Sequence, residues 1–223
     1  MKFIGQQIVL HAALAAALGA GAAWAGDTDA APQPKAPPYS KQVLQGKIEY
    51  CQTCHGPSGE GAHTAVPIPR LAGQQAKYLE NQLRNFIVHR RHNNIMSNAV
   101  QQMGPAEMVA LANYFSVLNP KPLGGGGVQL AVAGKKVFEE GVPGNGVPAC
   151  ASCHGPDAKG SGAIPRLAGQ LAGYVTKKLA AWDNERGDDP AVPAKTVALM
   201  KSVTHNLTGD EIAAVSAYIS NLE

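Results

Sequence analysis

The sequence has few aromatic side chains, no clear β-strand patterns and little excess of one sign of charge over the other. Aromatic residues make up 5% of the 223 residues, which is few for a chain that must bury a core. Beyond residue 25 no apolar run is long enough to cross a bilayer, so no membrane span is predicted there. No stretch alternates apolar and polar residues as a β-strand does, which argues against a βαβ fold. Without residues 1–25 the chain has 18 basic and 16 acidic side chains, a balance that indicates no nucleic-acid partner.

Residues 1–25 have the pattern of a secretory signal peptide. Lys2 is their only charge, residues 8–23 form an apolar, alanine-rich run, and Ala23-Trp24-Ala25 supplies a small-x-small cleavage pattern. The alternative is an uncleaved anchor helix, but the run is short for a span and no stop-transfer flank follows it. Residues 26–39 are rich in Ala, Pro and Asp and predict a flexible leader. We therefore expect an exported protein that is soluble outside the cytoplasm.

All four cysteines lie in two copies of one pentapeptide, Cys-x-x-Cys-His, at Cys51–His55 and Cys150–His154. This pattern is typical of the attachment site of a c-type haem. Two residues between the thiols place both sulfurs on one side of a helical turn, where each can form a thioether with the same porphyrin. The histidine that follows becomes the proximal ligand of the iron. The predicted attachment and ligand residues are Cys51, Cys54, His55, Cys150, Cys153 and His154.

Two other uses of these cysteines need to be weighed against haem. A thioredoxin-type redox pair is expected near a βαβ pattern, which the sequence lacks. A structural zinc site needs four closed ligands, and a histidine adjacent to a ligating cysteine is poorly placed to complete a tetrahedron. Two haems would also supply the large flat apolar bodies that the aromatic residues do not. We therefore predict two covalently attached c-type haems.

The chain repeats itself around these motifs. The segment Ile-Pro-Arg-Leu-Ala-Gly-Gln occurs at residues 68–74 and returns 96 residues later at 164–170. Between the copies, residues 119–127 are rich in Pro and Gly and predict a domain boundary. Apolar residues recur at helical spacing in both copies. The predicted fold is all-α, with two tandem domains at 40–120 and 128–223, a linker at 121–127, and three main helices around one haem in each domain.

The same comparison of the two copies predicts one close helix crossing in each domain and one irregular segment in the first. Gly46 is matched with Tyr114, and Gly134 with Tyr218, so the first and last helices of each domain are expected to cross closely at the glycine. Residues 92–104 are polar and are expected to be irregular.

The repeat also selects the sixth ligand of each iron. The candidates in the first copy are Met96, Met103, Met108, His63, His89 and His92. Met200, the only methionine of the second copy, maps onto Met96 at an offset of 104, whereas Met103 and Met108 map onto ordinary apolar positions. The histidines have no counterparts between the copies and are expected at the surface. We therefore predict Met96 and Met200 as ligands, and a thioether ligand raises the reduction potential relative to two histidines.

Two further pairs of repeated residues have expected roles beside the haems. The backbone carbonyls of Pro69 and Pro165 are expected to accept the N–H of the proximal imidazole, which fixes its tautomer. Arg70 and Arg166 are suited to pair with haem propionates, because a guanidinium binds carboxylates through two parallel hydrogen bonds. The alternative for both arginines is a solvated surface position.

With these residues in hand, the chain resembles the dihaem cytochromes c of the cytochrome c4 family. The resemblance rests on both Cys-x-x-Cys-His-Gly motifs, the two Ile-Pro-Arg-Leu-Ala-Gly-Gln segments, the methionines at 96 and 200, and the final helices that contain Tyr114 and Tyr218. It covers the chain from about residue 40 to residue 222. It implies two cytochrome c folds with haems near one another across a domain interface. It also implies a periplasmic role in which electrons pass toward terminal oxidases.

Three functions are then in competition. The first is an electron carrier that transforms no substrate, whose partners are redox proteins such as a terminal oxidase or a dehydrogenase. The second is a haem subunit of a dehydrogenase or oxidase complex, peripheral to a membrane. The third is a dihaem peroxidase, which would need an open or displaceable sixth position, whereas both copies here offer a methionine.

Overall fold

A computed structural model of the protein describes residues 38–185 and 194–223. The predicted signal peptide at residues 1–25 and most of the predicted leader at 26–39 lie outside the described residues. Within them, no helix is long and apolar enough to span a membrane.

The described residues fold into helices and loops, and no strand longer than an isolated bridge occurs among them. The first half contains α1 (Lys41–His55), α2 (Ala76–Ile87), α3 (Asn94–Val100) and α4 (Pro105–Ser116). The second half contains α5 (Val128–Glu140), α6 (Ala151–His154), α7 (Ala172–Ala180), α8 (Trp182–Glu185), α9 (Ala194–His205) and α10 (Gly209–Ser220). The all-α prediction is confirmed.

Local side chains begin several of these helices. The hydroxyl of Ser40 accepts a hydrogen bond from the backbone N–H of Val43 at 3.2 Å and so caps α1. At α10 the Thr208 hydroxyl accepts from the Glu211 N–H at 3.3 Å, and the Glu211 carboxylate accepts from the Thr208 N–H at 2.8 Å. This reciprocal pair is the capping box that the spacing of the two residues predicts.

The prediction that residues 92–104 are irregular is wrong, because α3 lies within them. Asn93 begins this helix, since its side-chain oxygen accepts a hydrogen bond from the Met96 N–H at 3.0 Å. A helix of 7 residues is too short to show a clear apolar period in sequence. In each half, therefore, the predicted methionine ligand lies on a helix of its own, Met96 on α3 and Met200 on α9.

Each half has its own hydrophobic core. The first core consists of Ile48, Leu79, Phe86, Val100, Met103, Met108, Leu111, Ala112 and Phe115. The second consists of Val137, Phe138, Val147, Ala158, Ala168, Val175, Leu207, Ile212, Val215 and Ile219. Cys51 packs against the first core and Cys150 against the second, so each haem motif lies at the edge of a separate apolar cluster.

The predicted close helix crossing is present in the second half only. A Cβ on Gly134 would overlap the carbonyl oxygen of Ala214 and lie 2.9 Å from the Cβ of Tyr218, so α5 and α10 touch there. No atom of α4 lies within 4 Å of the corresponding position on Gly46, and the prediction of a close crossing at this glycine is wrong. These helices are instead bridged by longer polar side chains, with Lys47 Nζ 3.6 Å from the Glu107 carboxylate, and need no backbone contact.

This difference sets opposite expectations for two glycine substitutions. We expect Gly134→Ala to lower the free energy of unfolding by about 3 kcal/mol, because the new methyl group must push α5 away from α10. Gly46→Ala is expected to raise it by up to about 1 kcal/mol, because alanine is the better helix former and has free space. Denaturant unfolding of the two variants measures both effects. A loss of stability in Gly46→Ala equal to that in Gly134→Ala would contradict the asymmetry.

Candidate haem sites

The first attachment motif occupies the last turn of α1. Cys51 is partly buried against the core, and Cys54, one turn away, is exposed. In the second half, Cys150 is partly buried and Cys153 exposed, in the same order. Burial raises the pKa of the Cys51 and Cys150 thiols to about 11. Both halves thus offer one inner and one outer thiol on one face of a helical turn, as attachment to a single porphyrin requires.

Both motif histidines are buried and tied to a proline carbonyl. Nδ1 of His55 lies 2.8 Å from the carbonyl oxygen of Pro69, and Nδ1 of His154 lies 2.9 Å from that of Pro165. A carbonyl can only accept, so Nδ1 carries the proton and Nε2 keeps its lone pair for a metal. Burial lowers the pKa of both histidines, although the carbonyl hydrogen bond acts in the opposite direction. Each imidazole is therefore held neutral, and the contact expected from the sequence is present in both halves.

Two glycines let the proline loops pass this close to the histidines. Gly61 and Gly160 have positive φ values of 91° and 66°. Their backbone N–H groups donate to the carbonyls of His55 and His154 at 2.7 and 2.8 Å. A Cβ on Gly61 would lie 2.7 Å from the carbonyl oxygen of Ile68, so a larger residue would force the loop away. Both glycines lie at the 99-residue offset of the haem motifs, and this repetition is the signal in the sequence that could have identified them.

The methionines divide as the repeat indicates. Met103 and Met108 are core residues with 9% and 3% exposure. Met96 is partly buried and packs against the edge of that core, and Met200 is likewise partly buried on α9. The four histidines without counterparts, His63, His89, His92 and His205, are all exposed, as predicted. The assignment of Met96 and Met200 as iron ligands stays a prediction at this point.

Arg70 is 3% exposed, which excludes the alternative of a solvated surface arginine for this residue. Its guanidinium donates to the carbonyls of Ala72 at 2.9 Å and Pro120 at 2.8 Å, and so ties the start of the linker to the first half. Arg166 repeats the first of these contacts with Ala168 at 3.0 Å. Burial lowers the pKa of both arginines, and the charge of Arg166 lowers that of Arg70 further.

These two cations fit the carboxylates of a haem. Among the described residues, no carboxylate lies within ion-pair distance of Arg70 or Arg166. Arg70 is buried and Arg166 is half-buried, and two neighbouring guanidinium groups without an ion-pair partner repel one another. Haem propionates are anions of the right chemistry to relieve that repulsion.

The halves meet through a reciprocal exchange between the repeated segments. The side-chain oxygen of Gln74 accepts from the backbone N–H of Arg166 at 2.7 Å, and its amide nitrogen donates to the Arg166 carbonyl at 2.9 Å. Gln170 makes the same two bonds with Arg70, at 2.9 and 3.0 Å. The identical glutamines at the end of each repeated segment are a signal in the sequence that these two positions share a role.

A second buried contact at this interface has no counterpart among the described residues of the other half. Arg91 is 7% exposed and donates to the Gln82 side chain at 2.9 Å and to the Tyr174 hydroxyl of the second half at 2.7 Å. Burial acts to lower its pKa, but Tyr174 and Tyr78 outweigh burial and raise it. The positive charge of Arg91 also contributes to the lowered pKa of His55. Its Nε is buried with no acceptor among the described residues, and a haem propionate would supply one.

The arrangement does not suit a bare metal ion. Within residues 38–185 and 194–223, no group of three or more His, Cys, Asp and Glu side chains could hold a metal. A closed zinc site would need four such ligands around one point. The paired thiols with a single adjacent histidine are instead the donor set of a haem attached through its porphyrin edge.

Comparison with known proteins leads to the same conclusion. The family model for cytochrome c matches residues 41–118 and 131–223. A cytochrome c4 from Thiocapsa roseopersicina is 36% identical over 203 residues, which cover 88% of this chain and 98% of that protein. The thiosulfate dehydrogenase electron acceptor of Thiomonas intermedia is 35% identical and covers 83% of this chain and 84% of its own. The crystal structure of reduced recombinant cytochrome c4 from Pseudomonas stutzeri aligns with a TM-score of 0.70 at 30% identity, covering 82% of this chain and 99% of that chain.

These likenesses extend over both halves, so they account for the duplication as well as for the motif. The protein carries two covalently bound c-type haems, with the thiol pairs at Cys51 and Cys54 and at Cys150 and Cys153. Its activity is electron transfer. The chain belongs to the cytochrome c family and, within that family, to the dihaem cytochromes c4.

Proposed function

We propose that the protein carries electrons in the periplasm between redox proteins of a respiratory chain, with a terminal oxidase as the final acceptor. The observation that carries the proposal is the presence of two equivalent sites, each with a buried neutral histidine, a paired thiol motif and one matched methionine. When bound, haem supplies reversible one-electron chemistry at iron. The protein supplies covalent attachment, ligation and shielding from water.

The proposed axial ligands are His55 and Met96 for the first haem, and His154 and Met200 for the second. The proline carbonyl fixes the tautomer of each histidine, and methionine ligation favours the ferrous state. An absorption spectrum with a redox titration tests the assignment. Two haems per chain, a low-spin spectrum and the long-wavelength ferric band of sulfur ligation are expected. A single haem, or carbon monoxide binding and peroxide turnover by the reduced protein, would contradict it.

The proposed location depends on removal of residues 1–25. We expect the protein isolated from the periplasm to begin at Gly26, which follows the Ala23-Trp24-Ala25 pattern. Mass spectrometry of the N-terminal peptide measures this directly. A haem-loaded protein that retains Lys2 and stays with the membrane fraction would contradict a soluble periplasmic carrier.

A second candidate partner follows from one comparison. The relative from Thiomonas intermedia is described as the electron acceptor of a thiosulfate dehydrogenase. An enzyme of that class is therefore a candidate donor for this chain, and the partner is either transient or permanent. Mixing the ferric protein with such a dehydrogenase and thiosulfate, and the ferrous protein with a terminal oxidase, measures both transfers by absorbance. Co-purification from native membranes distinguishes a permanent subunit from a free carrier.

The proposed pairing of Arg70 and Arg166 with haem propionates sets a direction for the reduction potentials. A nearby cation disfavours ferric iron. Arg70→Gln and Arg166→Gln are therefore each expected to lower the reduction potential of the haem that the arginine pairs with by tens of millivolts, about 1 kcal/mol or less. Redox titration and the haem content of each variant are the measurements. Lys159→Gln is the control, because the side chain of Lys159, among the described residues, forms only an exposed pair with Asp157. Unchanged potentials and full haem retention in both arginine variants would contradict the pairing.

A further inference from the structure

We propose that each half of the chain sets the reduction potential of the haem held by the other half, through Gln170 and Gln74. Gln170, in the second half, acts on the site at His55, and Gln74, in the first half, acts on the site at His154. Both are positioning residues that act through a backbone peptide group. The inference rests on the proposed role of the two histidines as iron ligands.

One peptide group links the imidazole of His55 to the side chain of Gln170 through two hydrogen bonds. The carbonyl of Pro69 accepts from Nδ1 of His55 at 2.8 Å. The N–H at the other end of the same peptide unit belongs to Arg70, and it donates to the side-chain oxygen of Gln170 at 2.9 Å. The glutamine of the second half is thus two hydrogen bonds and one planar peptide away from the proximal imidazole of the first.

The peptide transmits the effect because its electrons are delocalised. When the N–H donates to an acceptor, electron density moves toward the carbonyl oxygen, which becomes a stronger acceptor in turn. A stronger acceptor draws the Nδ1 proton of His55 and makes the imidazole more basic toward a metal. A more basic ligand favours ferric iron, so the bond from Gln170 lowers the potential of the first haem.

The second site has the same arrangement with the roles of the two halves exchanged. The carbonyl of Pro165 lies 2.9 Å from Nδ1 of His154, and the N–H of Arg166 donates to Gln74 at 2.7 Å. Gln74 and Gln170 are 6% and 7% exposed, so water does not compete for these bonds. The second bond of each glutamine, from its amide nitrogen to the carbonyl of the same arginine, fixes which end of the amide faces the N–H.

A neighbouring residue provides a matched control. Gln75 also crosses the interface, where its amide nitrogen donates to the carbonyl of Lys159 at 2.9 Å. That carbonyl belongs to the Lys159–Gly160 peptide, whose N–H donates to the backbone carbonyl of His154 at 2.8 Å and not to its imidazole. Loss of the Gln75 contact therefore removes an interface hydrogen bond. It leaves intact the hydrogen bonds of the Pro69–Arg70 and Pro165–Arg166 peptides to the histidines and to Gln170 and Gln74.

The experiment compares Gln170→Met, Gln74→Met and Gln75→Met in the full haem-loaded protein. The reduction potential of each haem is measured in a redox titration that is monitored through the hyperfine-shifted haem methyl signals in NMR spectra. The solvent exchange of each histidine Nδ1–H is measured in the ferrous state. Met200→His is also introduced into each variant. It is expected to lower the potential of the haem at His154, so the redox transition that moves belongs to that haem and the other belongs to the haem at His55.

We expect Gln170→Met to raise the potential at the His55 site alone and to speed exchange of the His55 Nδ1–H. Gln74→Met is expected to do the same at His154, and Gln75→Met to change neither site. Equal changes of potential at both sites in either variant, or a shift of the same size in Gln75→Met, would contradict the proposal. Such a result would show that the potentials respond to a general loosening of the interface. Two normal haems with unmoved potentials would overturn this inference alone, whereas an unmutated protein without two methionine-ligated haems would overturn the proposed function.

Discussion

Replacing Met96 by histidine is expected to remove the long-wavelength ferric band of one haem and to lower its potential by at least about 100 mV. Axial ligands together span about 0.8 V of haem potential, and a second imidazole stabilises ferric iron where a thioether stabilises ferrous iron. Met96 lies on α3, at the edge of the first core, where the side chain is partly buried. Met200→His is expected to have the same effect on the other haem.

Met103→Leu is the control for this prediction. Met103 lies in the same core at 9% exposure, and a swap that nearly conserves volume is expected to cost less than about 1.5 kcal/mol of stability. Both potentials and the full ferric band are expected to remain. Spectra and titrations of the three variants decide the assignment. Retention of the band and both potentials in Met96→His, with their loss in Met103→Leu, would move the ligand to Met103.

Arg91→Met is expected to affect both stability and the first haem. Arg91 is a buried cation that bonds to Gln82 within the first half and to Tyr174 of the second. Its removal takes this donor away from the buried Gln82 side chain and breaks the bond to Tyr174, at a cost of about 2 kcal/mol in the free energy of unfolding. It also removes a positive charge that disfavours ferric iron near His55. The potential of the first haem is expected to fall by tens of millivolts, the equivalent of about 1 kcal/mol.

Arg84→Met separates this effect from the loss of any arginine. Arg84 lies on α2 and pairs with Glu80 at 2.9 Å at the surface, where such pairs contribute less than about 1 kcal/mol. Neither potential is expected to change in this variant. Denaturant unfolding and redox titration measure the two readouts for each arginine. An unchanged first-haem potential in a folded Arg91→Met protein would show that the charge of Arg91 does not reach the iron.

Repetition explains which features could be predicted from the sequence. The proline carbonyls that contact His55 and His154 lie in a segment that occurs twice, so one structural argument applied to both. The separation of Met96 from Met103 and Met108 came from the same alignment of the two copies. Helix starts such as Ser40 and Thr208 depend on neighbours three residues away, which a sequence shows directly.

Features that depend on contacts between the halves were not predictable in this way. The bonds of Gln170 to Arg70 join residues 100 positions apart, and the repeated glutamines mark the positions without specifying their partners. Arg91 was missed because no local pattern specifies its bond to Tyr174, which is 83 positions away in the second half. The failure at Gly46 has the opposite cause: the repeat suggested equivalence, but polar side chains bridge α1 and α4 where glycine allows α5 and α10 to touch. The halves therefore share a plan but differ in packing.

The reciprocal glutamine contact has a consequence for how such a chain could arise. A surface that places a glutamine against the backbone of its own copy is self-complementary, as in the two-fold symmetric contact of a homodimer. A single ancestral domain with this segment would hold everything needed to pair with a second copy of itself. Fusion of the two genes would replace an association that depends on concentration by one that does not. Each copy would then be free to acquire its own substitutions, as the different packing around Gly46 and Gly134 illustrates.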